Sequence, residues 1–315
     1  MNRRTLLSFA ACNGLVSHIP HGFAQSTSAH LRQGTHLIML GTMAGPVLHP
    51  SRAMCSQMLM IDGKGILIDC GYGALMRMTE MGIRPNDIAQ LLITHHHSDH
   101  NADYAAIVNM AWIAGLRAPM QVTGPHPMQA VHAAALALHR EDIDIRIKAT
   151  GREPIEKSFA VRELNDAGVV NDANGVKITA IRVDHAPFHL ALGYRIDTPT
   201  TSIVFSGDTA PTDALVQAAK GAHTLVHEAM LTDGIDTMLA KRPYVPPNLK
   251  RFLMNGHTTA EDVGKLAAQA GVKRLVLTHL LPGDEPIADT VWRDAAAKHF
   301  GGEIVVAKDK MILGF

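Results

Sequence analysis

The sequence has no surplus of charge of either sign and no long apolar run. Its 29 Lys and Arg residues balance 29 Asp and Glu residues, so the formal net charge is zero at pH 7 with histidine neutral. A neutral chain has no general attraction for nucleic acid or for an anionic membrane. No segment offers the roughly 20 consecutive apolar residues that cross a bilayer. The composition therefore predicts neither a nucleic-acid partner nor a membrane partner.

Cysteine is scarce, which limits the chain's redox chemistry. There are three cysteines, and Cys12 lies in the N-terminal segment. Cys55 and Cys70 lie on two neighbouring predicted strands that a short turn connects, so they face each other across a hairpin. They are either two buried free thiols or a disulfide formed in an oxidising compartment, and the sequence leaves both open. Neither lies near the histidine motifs in sequence, so we do not assign them to a metal.

Residues 1–24 have the features of an export signal. Arg3 and Arg4 precede a modestly apolar run, and small residues near Ala24 suit a signal peptidase. The pattern predicts export to the periplasm by the twin-arginine route, followed by a single mature domain over residues 35–315. The alternative is an N-terminal tail on a protein that is not exported.

An apolar run that ends in metal-ligand residues is the most informative stretch of the sequence. Residues 91–93 are apolar and partly β-branched, which predicts a buried strand. The next loop has the pattern H-x-H-x-D-H, formed by His95, His97, Asp99 and His100. Alternate side chains of such a loop can reach two adjacent pockets. Imidazole and carboxylate ligands together suit zinc or a similar first-row ion.

Three later predicted strands also end in residues that can bind a metal. His185 follows the strand at 179–184, Asp208 follows the strand at 202–205, and His279 follows the strand at 274–278. Ligands gathered at one edge of packed sheets are what an open metal site requires. His189 is a second candidate for the third imidazole, but we prefer His185 because it comes directly after its strand.

The remaining chain predicts alternating strands and helices. The predicted helices include 98–114, which Gly115 would end, and Met128–Leu138. A charged loop is predicted through Arg152. Thr258 and Glu261 have capping-box spacing, which predicts a helix that begins just after His257. A long loop with one short helix is predicted for 231–255, and its aromatic and basic residues, Phe252 among them, suggest a wall for substrate.

These motifs resemble those of the metallo-β-lactamase superfamily, in the branch that contains ribonuclease Z and the zinc arylsulfatases. The motifs are T-H-H-H-S-D-H at 94–100, G-Y-R at 193–195, G-D-T at 207–209 and T-H at 278–279. They run in the family's order from about Leu37 to the C-terminus, so a chance match is improbable. The resemblance implies an α/β fold, an αββα sandwich of two mixed β-sheets flanked by helices.

The resemblance also implies two Zn²⁺ ions per chain. The first ion would be held by His95, His97 and His185, the second by Asp99, His100 and His279, and Asp208 would bridge the two. Such ions lie about 3.5 to 4 Å apart and share a hydroxide nucleophile.

The family further suggests which residues take part in catalysis. Glu228, in a His-Glu-Ala motif, would orient His257, and His257 would protonate the departing oxygen. Asp99 belongs to the same catalytic set through its place in the metal site.

The length of one interval bears on the substrate. Ribonuclease Z needs an arm inserted between the third histidine and the bridging aspartate, and only residues 185–208 are available here. With the neutral charge and the export signal, this predicts a small-molecule ester as substrate, either a phosphodiester, an aryl sulfate ester or a lactone, rather than RNA. A homodimer is left open. The alternatives are an iron-dependent oxidoreductase of oxygen or sulfur compounds on the same fold, and a zinc-binding protein without catalysis.

Overall fold

Two mixed β-sheets pack face to face with helices on their outer surfaces. The computed structural model describes residues 30–315, and in this part of the chain each sheet has seven strands. This arrangement confirms the predicted αββα sandwich of the metallo-β-lactamase fold. The predicted export signal at residues 1–24 lies outside the described residues. Within the described residues, no helix is both long enough and apolar enough to cross a membrane.

The first sheet is built from the N-terminal half of the chain and the last strand. Its order is β14-β1-β2-β3-β4-β5-β6. The strands are β1 (Thr35–Gly41), β2 (Ser56–Ile61), β3 (Lys64–Ile68), β4 (Ile88–Leu92), β5 (Met120–Pro125), β6 (Phe159–Leu164) and β14 (Met311–Gly314). Strand β14 pairs with β1, so the last strand of the chain joins the sheet built from the N-terminal half. We propose on this basis that residues 35–315 form a single domain.

The second sheet has the order β13-β12-β11-β10-β9-β8-β7. Its strands are β7 (Gly168–Ala173), β8 (Val176–Val183), β9 (Ala191–Asp197), β10 (Ser202–Phe205), β11 (Thr224–Met230), β12 (Arg274–Leu281) and β13 (Glu303–Val306). Strands β10 to β13 are parallel to one another, so their carboxyl ends meet at one edge.

Helices cover both outer faces of the sandwich. They are Ala74–Glu80, Ser98–Asn101, Tyr104–Ala114, Met128–Leu138, Arg140–Thr150, Asp213–Ala219, Thr232–Ala240, Leu249–Gly256, Ala260–Ala270 and Asp289–Ala297, with 3-10 turns at Pro85–Asp87 and Ile155–Ser158. The helix Ala260–Ala270 begins at Thr259, whose hydroxyl accepts from the amide of Asp262. The predicted cap pair, Thr258 with Glu261, is therefore wrong by one residue.

The apolar residues form three layers that match the sandwich. The middle layer lies between the sheets and includes Leu37, Leu92, Tyr194 and Phe205, all of them buried. The two outer layers pack each sheet against its helices. Burial of apolar surface is the main favourable contribution to folding, so these layers fix the positions of the strand ends. The Tyr194 hydroxyl also donates to the carbonyl of Ile93 at 2.7 Å, which joins the sheets where β4 ends.

Three predicted elements differ from the structure. Residues Arg140–Thr150 form a helix rather than a charged loop. The predicted helix at 98–114 is two helices, with a break before Tyr104, although Gly115 ends the second as expected. The segment after β11 contains two helices, Thr232–Ala240 and Leu249–Gly256, where one was predicted.

The two remaining cysteines are free. Cys55 and Cys70 are both buried and unbridged. The pairing of β2 with β3 ends at Gln57 and Ile68, and beyond it the carbonyl of Cys55 accepts from the amide of Gly71 rather than pairing with Cys70.

Cys55 Sγ lies with Asp69 and His100 in one group of potential ligand atoms, although nothing in the sequence placed it near the histidine motifs. Burial raises the pKa of the Cys55 thiol to about 11, so the group is protonated at neutral pH.

Candidate metal centre

The first group of candidate ligands consists of three imidazoles at the ends of β4 and β8. His95 Nε2 lies 3.0 Å from His97 Nδ1, and His97 Nδ1 lies 3.3 Å from His185 Nε2. A tetrahedral zinc site with bonds of 2.0 to 2.1 Å separates its ligand nitrogens by roughly 3.3 Å. The three nitrogens therefore have the spacing of ligands around one ion.

The second group lies beside the first, in the short helix Ser98–Asn101 and at the end of β12. His279 Nε2 is 3.3 Å from Asp99 Oδ2, and His100 Nε2 is 3.6 Å from the same oxygen. His279 has a φ angle of 41°, in a region that residues other than glycine rarely adopt. Backbone strain at this position points to a functional constraint on the direction of its side chain.

Asp208 connects the two groups through one carboxylate oxygen. Its Oδ2 lies 3.3 Å from His100 Nε2 and 3.2 Å from His279 Nε2. The same oxygen lies 3.8 Å from His95 Nε2 and 3.9 Å from His185 Nε2. Asp208 is buried at the end of β10, in the turn that the sequence singled out. The structure thus brings together all seven residues predicted to bind metal.

Asp69 orients His100, a member of the second group, by a hydrogen bond to the ring nitrogen that points away from the site. His100 Nδ1 donates to Asp69 Oδ2 at 2.7 Å, which leaves Nε2 of the ring facing Asp208. Asp69 also accepts from the amide and the hydroxyl of Thr94, both at 2.8 Å. A carboxylate behind a ligand histidine fixes the ring and makes it a stronger ligand. Asp69 was not predicted, although it follows β3 at the same edge of the sheet.

The first group has similar support. His95 Nδ1 lies 3.0 Å from the hydroxyl oxygen of Thr94, and His185 Nδ1 donates to the carbonyl of Gly256 at 2.8 Å. Both rings are thus directed by their Nδ1 atoms and present Nε2 to the site. Burial lowers the pKa of His95 and His185, and it lowers the pKa of His97 to about 4. All three rings are therefore neutral at pH 7, which is the form that binds metal.

The converging atoms fit a metal better than they fit one another. His100 Nε2, which faces Asp208, is buried and has no hydrogen-bond partner among the described residues. A buried polar atom without a partner costs about 1 to 3 kcal/mol. In the first group, His95 and His185 donate through Nδ1, so their Nε2 atoms carry lone pairs, and at most one proton, on His97 Nδ1, is available among the three converging nitrogens. Metal ions would satisfy both groups, and the set of imidazoles and carboxylates suits zinc.

His257 and Glu228 form a buried pair next to Asp208. His257 Nδ1 donates to Glu228 Oε2 at 2.8 Å, and Glu228 Oε1 accepts from the amide of Thr209 at 2.7 Å. The ring of His257 stacks on that of His279, with centroids 5.6 Å apart and planes at 18°. The geometry brings the predicted pair together and fixes the ring of His257 beside the candidate ligands.

The other candidate histidine lies away from the site. His189 is exposed, and only its backbone carbonyl makes a described contact, with the guanidinium of Arg182. His185 is therefore the third imidazole of the first group, as preferred from the sequence.

Comparisons with known proteins agree with this fold and site. The family model described as anti-Pycsar protein Apyc1 matches residues 35–279. Ribonuclease Z of Mycobacterium avium (strain 104) is 32% identical over 274 residues, which cover 86% of this chain and 95% of that protein.

Solved structures show the same fold at lower identity. The metallo-β-lactamase fold protein YhfI of Bacillus subtilis aligns with a TM-score of 0.66 and 18% identity, over 89% of this chain and 99% of that one. The short form of human tRNase Z aligns with a TM-score of 0.62 and 20% identity, over 89% of this chain and 98% of that one.

Together with the fold and the candidate ligands, the relatives of more than 30% identity show that the chain is a metal-dependent hydrolase of the metallo-β-lactamase fold. The chain belongs to the Apyc1 family and to the ribonuclease Z branch of the metallo-β-lactamase superfamily.

The predicted partners need correction. The sequence predicted a small-molecule ester and no nucleic acid, but the relatives that match nearly the whole chain are named ribonuclease Z. One reason for predicting a small-molecule substrate was the short interval between His185 and Asp208. In the structure this interval is occupied by β9 and β10 with a turn at 198–201. Absence of an arm there does not separate this chain from those relatives, because they align with it over more than 90% of their own length.

Proposed function

We propose that this protein is a two-zinc phosphodiesterase that cleaves RNA. The observation that carries the proposal is the shared Asp208 oxygen, which lies within 3.9 Å of four imidazole nitrogens from the two groups, with the His257–Glu228 pair beside it. The names of the relatives support RNA as the substrate. The formal neutrality of the chain does not oppose it, since metal ions can neutralise the reacting phosphate locally.

The proposed metal site assigns the first ion to His95, His97 and His185 and the second to Asp99, His100 and His279. When bound, two such ions supply Lewis-acid polarisation of the phosphoryl oxygens and a nucleophile at neutral pH. Asp208 would contribute to both through Oδ2. Asp99 has a further contact, because its Oδ2 accepts from the amide of Gly45 at 2.8 Å, and this ties the loop after β1 to the site.

His257 is the proposed proton donor. Its Nδ1 is engaged with Glu228, and its Nε2 has no hydrogen-bond partner among the described residues. Hydrolysis of a phosphodiester bond releases a proton from the attacking water and adds one to the departing oxygen. Burial lowers the pKa of His257, so its Nε2 is unprotonated at neutral pH and would take up the first proton and deliver it to the departing oxygen. Glu228 orients the ring and balances its charge during the transfer. General acid catalysis of this kind contributes about 10²- to 10⁴-fold to the rate.

The test is cleavage of a fluorescently labelled single-stranded RNA by protein stripped with chelator and by the same protein restored with zinc. We expect cleavage only after zinc is restored. His257→Ala is expected to lower kcat by about 10²- to 10⁴-fold while its zinc content equals that of the wild type.

The matched control is His189→Ala, which removes an exposed histidine outside the site and is expected to cleave at the wild-type rate. A zinc-loaded wild type that leaves RNA intact, or a His257→Ala variant as fast as the wild type, would contradict the proposal.

A further inference from the structure

A cavity of about 230 Å³ opens in front of the candidate ligands. One side is formed by polar residues of the site: His97, Asp99, Asp208, His257 and His279. The other lining residues are mostly apolar and are called here the apolar side: Ala44, Pro46, Leu249, Phe252, Leu253 and Leu281. The described residues that line the cavity include no Lys or Arg. Any part of a substrate that lies beyond the reacting phosphate therefore meets apolar surface rather than positive charge.

Phe252 is the aromatic residue of this apolar side. Its ring centroid lies 6.1 Å from that of His97, with the planes at 74°, and 6.5 Å from that of His185. Phe252 is half-buried, so part of its ring remains accessible from the cavity.

Phe188 differs, because it stacks on His185 with centroids 5.8 Å apart and planes at 13°, and it does not line the cavity. Of these two phenylalanines, Phe252 is the one that lines the cavity.

The helix that carries Phe252 is attached to the metal site. Helix Leu249–Gly256 ends at Gly256, whose carbonyl accepts from His185 Nδ1 at 2.8 Å. At the other end, Lys250 forms an ion pair with Asp236 of the preceding helix. The bond from His185 connects the C-terminal end of this helix to a candidate ligand, whereas the exposed ion pair adds little. A preorganised aromatic ring loses little conformational entropy when a ligand stacks on it.

We infer that Phe252 stacks on the nucleobase adjacent to the scissile phosphate and so favours nucleotide substrates. This inference rests on the proposed function and names the part of the substrate that the apolar side binds. Every base has a flat π face, and stacking on an aromatic side chain contributes about 1 to 3 kcal/mol per base. Because no basic side chain lines the cavity, stacking on Phe252 is the interaction that its apolar side offers to a base.

The first test measures binding, which requires no turnover. Affinities of the zinc-loaded protein for uridine 5′-monophosphate and for ribose 5-phosphate, its counterpart without a base, are measured by calorimetry. We expect the wild type to bind the nucleotide about 5- to 150-fold more tightly, which is the factor that one stacked base contributes. In Phe252→Leu, which keeps an apolar side chain but loses the flat ring, this ratio is expected to fall towards one. Phe252→Trp is expected to retain it.

Met254→Ala is the matched control, since Met254 lies on the same helix, is partly exposed and does not line the cavity. Its affinity ratio is expected to equal that of the wild type. An equal ratio in wild type and Phe252→Leu would overturn the inference, whether or not RNA is cleaved.

A second test uses cleavage of p-nitrophenyl esters of uridine 5′-phosphate and of ribose 5-phosphate. If neither ester nor RNA is cleaved, the proposed function fails while the binding ratio still tests Phe252. If both esters are cleaved and Phe252→Leu slows them by the same factor, the stacking inference fails and the proposed function stands.

Discussion

Individual side chains behind the ligands determine how well the ligands are oriented. Asp69 accepts three hydrogen bonds in a buried position, from His100 Nδ1 and from the amide and hydroxyl of Thr94. Thr94 in turn lies within hydrogen-bond distance of His95 Nδ1. One carboxylate therefore supports a ligand of each group. The residue contacts no substrate, so its effect must act through metal binding and geometry.

We predict that Asp69→Asn lowers zinc affinity by about 10- to 100-fold, the usual effect of losing a carboxylate behind a ligand histidine. Asn tolerates the left-handed backbone of this position, where φ is 56°, so the variant should fold. Zinc affinity is measured by competition with a chromophoric chelator, with Asp87→Asn in the 3-10 turn Pro85–Asp87 as the control. Wild-type affinity in Asp69→Asn would contradict this role.

Glu228 should act on the rate rather than on substrate binding. Glu228→Gln removes the negative charge and replaces one of the two accepting oxygens with an NH2 donor. The side chain can therefore accept from His257 only if it gives up the bond from the Thr209 amide. We predict that kcat for RNA falls by about 10-fold or more while KM and zinc content stay near wild-type values. Steady-state kinetics and metal analysis check this. A rise in KM with kcat unchanged would show that Glu228 serves binding instead.

Elements bring the site together through close backbone contact. The turn after β3 packs against the short helix Ser98–Asn101, where the amide of Cys70 donates to the carbonyl of His100. At Gly71 an added Cβ would lie 2.1 Å from the carbonyl oxygen of Asp99. Only glycine fits here, so the turn fixes the helix that carries two of the candidate ligands.

We predict that Gly71→Ala lowers both the melting temperature and zinc affinity. Overpacking costs about 1 to 3 kcal/mol or more, and a melting temperature falls about 2 to 4 °C per kcal/mol in a chain near this size. A loss of about 5 °C is expected. Gly301→Ala is the control, because nothing lies within 4 Å of its added Cβ. Equal melting temperatures of the two variants would refute the importance of this contact.

The sequence predicted well the elements whose apolar pattern matches their burial. Strand β10 and the helix Met128–Leu138 have the predicted boundaries. The ligands that follow β4, β8 and β10, and His279 near the end of β12, were predicted because each comes after an apolar run. Asp69 also follows a strand, but an aspartate in a turn has ordinary structural uses. Its role depends on the parallel pairing of β3 with β4, which the sequence does not reveal.

The missed elements depend on polar contacts rather than on apolar pattern. Helix Arg140–Thr150 buries only Ile143 fully and is stabilised by pairs such as Arg146 with Asp142, so its charges suggested a loop. The break before Tyr104 occurs at Asp103, whose carboxylate accepts from the amides of Gly73 and Leu75. A contact between residues about 30 positions apart leaves no local signal in the sequence.

At the scale of the whole molecule, metal should stabilise the fold. The candidate ligands come from strands of both sheets, so a bound ion joins the two halves of the sandwich. Free zinc at about 100 times its dissociation constant adds about 2.7 kcal/mol per site. We predict that the melting temperature rises by about 5 °C or more when chelated protein receives zinc. In Asp208→Ala the rise should be much smaller, and an equal rise would point to zinc binding elsewhere.

The charge of the molecule predicts a weak dependence of RNA binding on salt. Net charge is zero, and no Lys or Arg is among the described residues that line the cavity. Each phosphate that a cationic side chain neutralises contributes about −0.7 to the log–log slope for a single strand. We expect a plot of log(1/KM) against log salt concentration to have a slope shallower than about −2 between 50 and 200 mM salt. A slope near −5 would reveal an extended basic surface for RNA.

The most direct test of the two-metal site is the number of zinc ions bound per chain, measured by calorimetric titration of chelated protein and by elemental analysis. We predict two ions for the wild type and one for His279→Ala, which removes a ligand of the second group only. One ion in both proteins, or none in either, would contradict a site in which Asp208 joins two ions.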